Sequence, residues 1–248
     1  MKLSGQASTS ALFRTVAGAA AKAGLVMALL ICVQARAQVA TSSCGALGKP
    51  FGDYLVDKDK VAMSAGFHFT PEVESLVRGK STNIIGADID FTLIAFPNHH
   101  RALVAMMRLG EKQKSPQPAG AKYTVECYFD RAIRFRPDDT VVRLLYATFL
   151  LKNAREADAA AQLEWAAKAA TDDPFAQYNI GMIYLDMKNF DRALEQAHKA
   201  YELGFGRTEL RDRLRSAGQW RDPELAVLPS GPNGRAPAVS DSSASAAN

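Results

Sequence analysis

The residues best suited to chemistry are histidines, three of which lie in the first half of the chain: His68, His99 and His100. Asp88 and Asp90 lie nearby in sequence, and imidazole together with carboxylate can bind a transition metal. His99 and His100 are neighbours, however, and neighbouring residues on a helix point about 100° apart, so they do not readily share one ion. We therefore expect no metal site. His68, His99 and Asp88 are the weaker candidate ligands, and capping or hydrogen-bonding roles are favoured for the histidines.

Motifs for catalysis are absent from the sequence. It contains no G-x-S-x-G, P-loop, G-x-G-x-x-G or H-E-x-x-H pattern. Ser64, His68 and Asp88 could form a triad on paper, but a chain of this size offers many such combinations. We expect neither enzyme activity nor a cofactor.

The cysteines favour an oxidising compartment. Cys32 lies in a segment that we expect to be removed, which leaves Cys44 and Cys127. Two cysteines in an exported protein are candidates for a disulfide, and this one would tie the N-terminal segment to the middle of the chain. The alternative is a buried thiol at Cys127 and an unattached Cys44.

Residues 1–37 have the features of a secretory signal. Basic residues precede an apolar stretch at 24–33, and an A-x-A motif ends at Ala37. The stretch is too short for a permanent membrane helix, which needs about 20 apolar residues. We expect cleavage near Ala37–Gln38 and a periplasmic or secreted location, without a stable transmembrane anchor. An uncleaved anchor is the weaker alternative.

The charge balance argues against a nucleic-acid partner. The chain has 30 Lys and Arg residues and 26 Asp and Glu residues. Four of the basic residues and none of the acidic ones lie in 1–37, so 26 of each remain after cleavage. A nucleic-acid binder normally has a basic surplus or a basic face. We therefore expect no nucleic-acid binding.

The second half of the chain consists of helix–turn–helix patterns. Asp173 suits an N-cap, Pro174 the first helical position, and Gly204 the left-handed position after a helix. A charged helix at 209–217 suits a terminal cap with a polar outer face. The other expected helices are 99–109, 123–135, 140–152, 156–169, 175–187 and 190–203, with a polar insertion at 111–122.

Small residues recur with a period of 34 residues in this half. If Gly181 takes the eighth position of a unit at 174–207, the preceding unit is 140–173. Small residues then stand at equivalent positions in both units and in part of an earlier unit. These small residues are Ala147, Ala159 and Ala166, then Gly181, Ala193 and Ala200, and before them Ala132, which is followed by Pro137.

This pattern resembles the tetratricopeptide-repeat (TPR) family, well over 140–207 and partly over 97–139. The resemblance implies an all-α fold: a short α-solenoid of about three helix pairs with a C-terminal capping helix. It also implies a concave groove that binds another protein. In that family, fixed positions of each first helix line the groove. Carried over to this sequence, they are Val141, Leu144, Thr148, Leu151, Lys152, Phe175, Tyr178, Met182, Leu185 and Asp186.

The groove residues are unusually apolar for a surface that faces solvent. One interpretation is a binding site for an extended or helical segment of a partner. The other is that the protein's own N-terminal segment fills the groove. In either case we expect Arg131, Arg134 and Arg136 to form a solvent-facing basic cluster.

The N-terminal segment is less regular, and the resemblance covers none of 38–88. Thr70 and Pro71 begin a helix that Gly79 should end, whereas 54–69 has no clear helical period. For 88–96 we favour a helix over a strand.

The expected organisation has four parts. It is a signal at 1–37, an irregular lid at 38–96, a TPR-like domain at 97–222 and a disordered tail at 223–248. The expected function is a non-catalytic adaptor or assembly factor of the bacterial cell envelope. The alternatives are a periplasmic protein that binds a small molecule, glycan or metal through its histidine-bearing N-terminal segment, and an envelope enzyme without a recognisable motif.

Overall fold

The computed structural model describes residues 44–223. The expected signal, its cleavage site and nearly all of the expected tail lie outside the described residues. Within 44–223 the chain forms ten α-helices and no strand, so this part of the protein is all-α. None of these helices has the length and apolar character needed to cross a bilayer. The helices are α1 Lys58–Phe67, α2 Pro71–Glu74, α3 Ile85–Ala95, α4 His100–Gln113, α5 Val125–Phe135, α6 Thr140–Lys152, α7 Glu156–Ala169, α8 Pro174–Asp186, α9 Phe190–Glu202 and α10 Glu209–Ser216.

The sequence predicts α4–α10 to within a few residues at each end, and α3 is a helix as favoured. One prediction in the N-terminal segment is wrong. The helix that begins after Thr70 ends at Glu74, not at Gly79, because Leu76 turns into the left-handed region with φ 59°. Residues 58–67 form α1 although they show no apolar period, because none of the residues of this helix is buried.

Helices pack mainly on their neighbours in sequence. α4 packs on α5, α6 on α7 and α8 on α9, so the chain forms successive helix pairs. The second helix of each pair also contacts the first helix of the next, and the first helices contact each other in the order α4, α6, α8, α10. In the N-terminal segment, α2 packs on α3 and α4.

The same turn precedes the first helix of each pair. It occurs at 96–99, 136–139 and 170–173, where the fourth residue donates its backbone N–H to the carbonyl of the first at 3.0, 3.2 and 3.3 Å. The side chain of that fourth residue then caps the following helix: His99 accepts from Ala102 N, Asp139 from Val142 N, and Asp173 from two amides. The capping roles expected for the histidine and the aspartates are therefore correct.

The small repeat positions lie where helices approach most closely. All six alanines at these positions are fully buried, and a Cβ added to Gly181 would lie 2.6 Å from Leu210 Cδ2 of α10. Larger side chains here would force the helices apart. The pattern of small residues therefore follows from helix contact, as the sequence indicates.

Arginines of α5 fix the N-terminal segment to the helices. Cys44 and Cys127 are joined by a disulfide with an S–S distance of 2.08 Å. Arg131, only 2% exposed, donates to the carbonyls of Cys44 and Ala46 at 3.1 and 2.7 Å. Arg134 donates to another carbonyl of this segment, and Arg136 pairs with Asp53. The prediction of a solvent-facing cluster is therefore wrong, because these guanidiniums satisfy backbone carbonyls and a carboxylate of the segment.

The turn between α6 and α7 contains a strained residue. Ala154 has φ 57°, and Arg155 N donates to the Leu150 carbonyl at 2.9 Å to close the helix end. The left-handed region costs an L-residue about 1–2 kcal/mol, which glycine avoids at the expense of some chain entropy. We predict that Ala154→Gly raises the free energy of unfolding by about 0.5–1 kcal/mol, measured by urea denaturation.

The matched control for this prediction is Ala161→Gly on the exposed face of α7. It should lower the free energy of unfolding by about 0.5–1 kcal/mol, because glycine is unfavourable within a helix. A loss of stability in both variants would contradict the assigned turn.

Candidate functional site

The first helices present equivalent side chains along one face. α4, α6 and α8 each begin directly after the same turn, so residues at the same distance from the helix start are equivalent. The second residues of the three helices are Arg101, Val141 and Phe175, and all three are exposed. The ten groove residues expected from the sequence all lie on α6 and α8.

The ten residues differ in exposure. Val141 and Phe175 are 37% and 55% exposed, and Lys152 and Asp186 are also exposed, whereas Thr148, Leu151 and Met182 are partly buried. The remaining three are buried and belong to the core around α6–α10; these are Leu144, Tyr178 and Leu185.

The part of the face on α8 is covered by a residue that follows α9. The ring of Phe205 lies 4.5 Å from that of Tyr178 and 6.2 Å from that of Phe175, measured between centroids. The N-terminal segment, by contrast, contacts α5, the turn at 96–99 and, through α2, the helix α4. The covering element at Tyr178 is thus not the one that the sequence suggested.

Two ion pairs connect the C-terminal ends of first helices. Lys152 Nζ lies 2.8 Å from Glu111 of α4, and Asp186 lies 2.8 Å from Arg213 of α10. All four side chains are largely exposed, so each pair contributes less than about 1 kcal/mol to stability. Lys152 and Asp186 therefore have intramolecular partners, and a bound segment can replace these partners at a small cost in free energy.

An open cavity of about 250 Å³ lies between α2, α4 and α6. We call it the α4–α6 groove. Its floor is apolar, with Val104, Ala105, Val141 and Leu145, and its rim is charged. It is lined by these four residues and by Glu74, His100, Arg101 and Arg108.

The rim of the α4–α6 groove is predominantly basic. Arg101 Nε donates to Glu74 at 2.7 Å, and this hydrogen bond, against the opposing effect of burial, holds the pKa of Glu74 below its usual value. Arg108 is exposed and makes no ion pair within residues 44–223. Lys112 lies one turn further along α4. Arg108 can therefore pair with a negatively charged ligand in the groove without first breaking another ion pair.

The sequence pattern missed the α4 side of this groove. The loop after α4 lengthens that unit, so α4 begins 40 residues before α6 and not 34. The 34-residue period therefore does not align Arg101, Val104 and Arg108 with the equivalent residues of the later units. A usable signal was present: the turn sequences F-P-N-H-H at 96–100 and R-P-D-D-T at 136–140 share their proline and their capping position.

A buried polar cluster stabilises one end of the groove. Asn98 is fully buried; it donates to Asp53 and Asp139 and accepts from the Tyr54 backbone, at 3.0–3.2 Å. His100 Nε2 lies 2.8 Å from a carboxylate oxygen of Asp139. These groups satisfy one another, so the cluster acts as a support for the turn and not as a reactive centre.

A second buried carboxylate, Asp88, lies in the N-terminal segment. Burial raises its pKa, but hydrogen bonds from Lys80 N, His68 Nδ1 and Thr82 outweigh burial, so the pKa is below its usual value. His68 and Asp88 are therefore together, as two of the candidate metal ligands, while His99 is occupied with its helix cap. Within 44–223, no group of three or more His, Cys, Asp or Glu side chains is arranged to hold a metal ion.

No protein-family model matches the chain, and no curated protein matches it either.

The buried cap His99 makes stability depend on pH. Burial lowers its pKa to about 4, whereas an unfolded histidine titrates near about 6.5. Between these values the unfolded chain binds a proton that the folded chain does not, so the free energy of unfolding falls on acidification by up to about 1.4 kcal/mol per pH unit. We predict that the free energy of unfolding, measured by urea denaturation, falls between about pH 7 and about pH 5 in both proteins. The fall should be larger in wild type than in His99→Asn by at least about 1 kcal/mol.

Asparagine can keep the cap without titrating. The variant loses ring contacts with Tyr54 and Phe69, so its stability is lower at every pH, and only the slope is compared. Equal slopes in the two proteins would contradict the assignment of His99 as a neutral buried cap.

Proposed function

We propose that this protein is a non-catalytic adaptor of the TPR type that binds a segment of another protein in the α4–α6 groove. Three observations support a solenoid of helix pairs. The same capped turn recurs between pairs, small residues are buried at the repeat positions, and first helices contact the next first helix in order. In such a stack the first helices form one continuous face, which is the surface that solenoids use for binding.

The single observation that carries the binding proposal is the composition of this groove, an apolar floor with a basic rim. An apolar side chain of a ligand would be buried against Val104, Val141 and Leu145. Arg101 and Arg108 are seven residues apart on α4, which places them roughly 10 Å apart along the helix axis. The partner that fits is an acidic, extended segment.

The spacing of the acidic residues in this partner follows from chain geometry. A polyproline-type extended chain advances about 3.1 Å per residue and repeats its direction every three residues. Two carboxylates three positions apart therefore match the two arginines: one pairs with Arg108, and the other replaces Glu74 as the partner of Arg101. An apolar residue between or beside them supplies contact with the groove floor.

An exported location agrees with this function. The Cys44–Cys127 disulfide is of a type that persists in oxidising compartments such as the bacterial periplasm. The signal expected at 1–37 lies outside the described residues, and export therefore stays part of the proposal.

The test is selection from a random-peptide display library on the immobilised mature protein. We predict enrichment of peptides that contain two acidic residues three positions apart and at least one large apolar residue. Arg108→Glu should reduce the affinity of a selected peptide at least about tenfold, because the unpaired cation becomes a like charge. Fluorescence anisotropy of the labelled peptide measures this change.

The matched control is Lys168→Glu, which makes the same charge reversal on the exposed face of α7. It should leave the affinity within about twofold of wild type. Enrichment of basic peptides, or equal losses in the two variants, would overturn the proposed site.

A further inference from the structure

Exposed apolar side chains are concentrated in the N-terminal segment. Of the large hydrophobic residues that are exposed within 44–223, all but three lie between 51 and 91. Isolated apolar residues on a surface are ordinary, but a contiguous group marks a binding site. Four of these residues surround a single cavity and are 48–63% exposed; they are Phe51, Met63, Phe67 and Phe91.

The cavity, which we call the aromatic cup, lies between α1 and α3 and has a volume of about 360 Å³. Since a cavity of about 150 Å³ holds one benzene, this volume admits a molecule of about two rings. Its lining contains only two polar side chains, Ser64 and His68. Pockets for small molecules have this composition, with apolar walls and a few polar groups that converge.

His68 is held in one orientation. Its Nδ1 lies 3.0 Å from Asp88 Oδ1, and its ring stacks on Phe91 with centroids 3.8 Å apart. Asp88 is fully buried and is fixed in turn by Lys80 N at 2.7 Å and by Thr82. When the ring is neutral and donates its Nδ1–H to this carboxylate, Nε2 is an acceptor. Nε2 makes no hydrogen bond with any described residue.

Ser64 has the complementary property. Its hydroxyl oxygen is buried and has no hydrogen-bond partner in the part of the chain that the structure describes. A buried hydroxyl without a partner costs about 1–3 kcal/mol. Ser64 lies one helical turn before His68, which is the residue that follows α1, and both residues line the cup. Because Ser64 Oγ is closed to solvent, it reaches an occupant of the cup only by rotation about the Cα–Cβ bond.

We propose that the aromatic cup binds a neutral, apolar small molecule of about two rings that carries one hydroxyl group. The hydroxyl donates to His68 Nε2 and accepts from Ser64 Oγ, which satisfies both groups at once. The rings pack against Phe51, Phe67 and Phe91. This site is independent of the α4–α6 groove and adds a ligand to the proposed adaptor function.

The charges around the cup select against an anion. No Lys or Arg side chain lines it, and the buried carboxylate of Asp88 lies directly behind His68. Lys60 Nζ lies 5.6 Å from the centroid of the Phe51 ring, but it is paired with Asp57 at 3.0 Å. An acidic ligand would therefore meet the negative charge of Asp88 without an unpaired cation beside it. An apolar side chain from another protein would leave Ser64 and His68 without partners, so a hydroxyl-bearing small molecule fits the cup better than a docked segment.

The test uses β-naphthol as the probe and isothermal titration calorimetry on the mature protein. β-Methylnaphthalene and β-naphthoate serve as comparison ligands of the same size that lack the hydroxyl or carry a charge. We expect saturable binding of one β-naphthol per chain, and weaker binding of β-naphthoate. Ser64→Ala should weaken β-naphthol by about threefold to tenfold, the contribution of one neutral hydrogen bond, and leave β-methylnaphthalene unchanged.

Two further variants serve as controls. Ser216→Ala, on α10, should change nothing, and Ala95→Phe, which fills the cup, should abolish binding of both neutral ligands while the thermal unfolding midpoint shows a folded protein. The proposal fails if wild type shows no saturable binding, if β-naphthoate binds as tightly as β-naphthol, or if Ser64→Ala and Ser216→Ala behave alike. None of these results depends on the α4–α6 groove.

Discussion

The capped turn between helix pairs is the constraint on which the rest of the structure depends. In each of its three copies a helix ends, four residues reverse the chain, and a side chain then caps the first helix of a pair. Because the backbone geometry is the same each time, the first helices begin in equivalent positions. Arg101, Val141 and Phe175 therefore lie along one face, and any groove on that face is a product of the turn.

The N-terminal segment is held in place by contacts with α5 and with the turn at 96–99. The disulfide and the guanidinium of Arg131 hold residues 44–46 against α5. The ion pair of Asp53 with Arg136 and the bond from Tyr54 to Asn98 hold the segment at the turn. These contacts fix residues 44–54 beside α5 and at the turn at 96–99, whereas Glu74 of α2 lies at the edge of the α4–α6 groove.

Most of the helical architecture could be predicted from local signals. Caps, prolines and buried alanines define α6 to α9, because these residues act within one turn or at one helix contact. The location of the groove could not be predicted in the same way. The longer loop after α4 displaced Arg101 and Arg108 from the repeat frame, and Phe205, which is distant in sequence from Tyr178, covers that residue. The helix α1 was missed because its side chains bury too little to leave an apolar period.

The aromatic cup illustrates the same limit. Ser64, His68 and Asp88 could be combined on paper, but only the fold places the carboxylate behind the imidazole and the hydroxyl beside it in an apolar cavity. Ser64 Oγ makes no hydrogen bond to His68 in the part of the chain that the structure describes.

The central claim is that the α4–α6 groove is the surface that binds a partner. Methyl NMR of the protein, titrated with a selected acidic peptide, tests it most directly. The account predicts that chemical-shift changes are concentrated at the methyl groups of Val104, Val141 and Leu145. The methyl groups of Leu163 and Leu210, in the core around α6–α10, should not shift. Changes centred on α9 and α10, or on the aromatic cup, would contradict it.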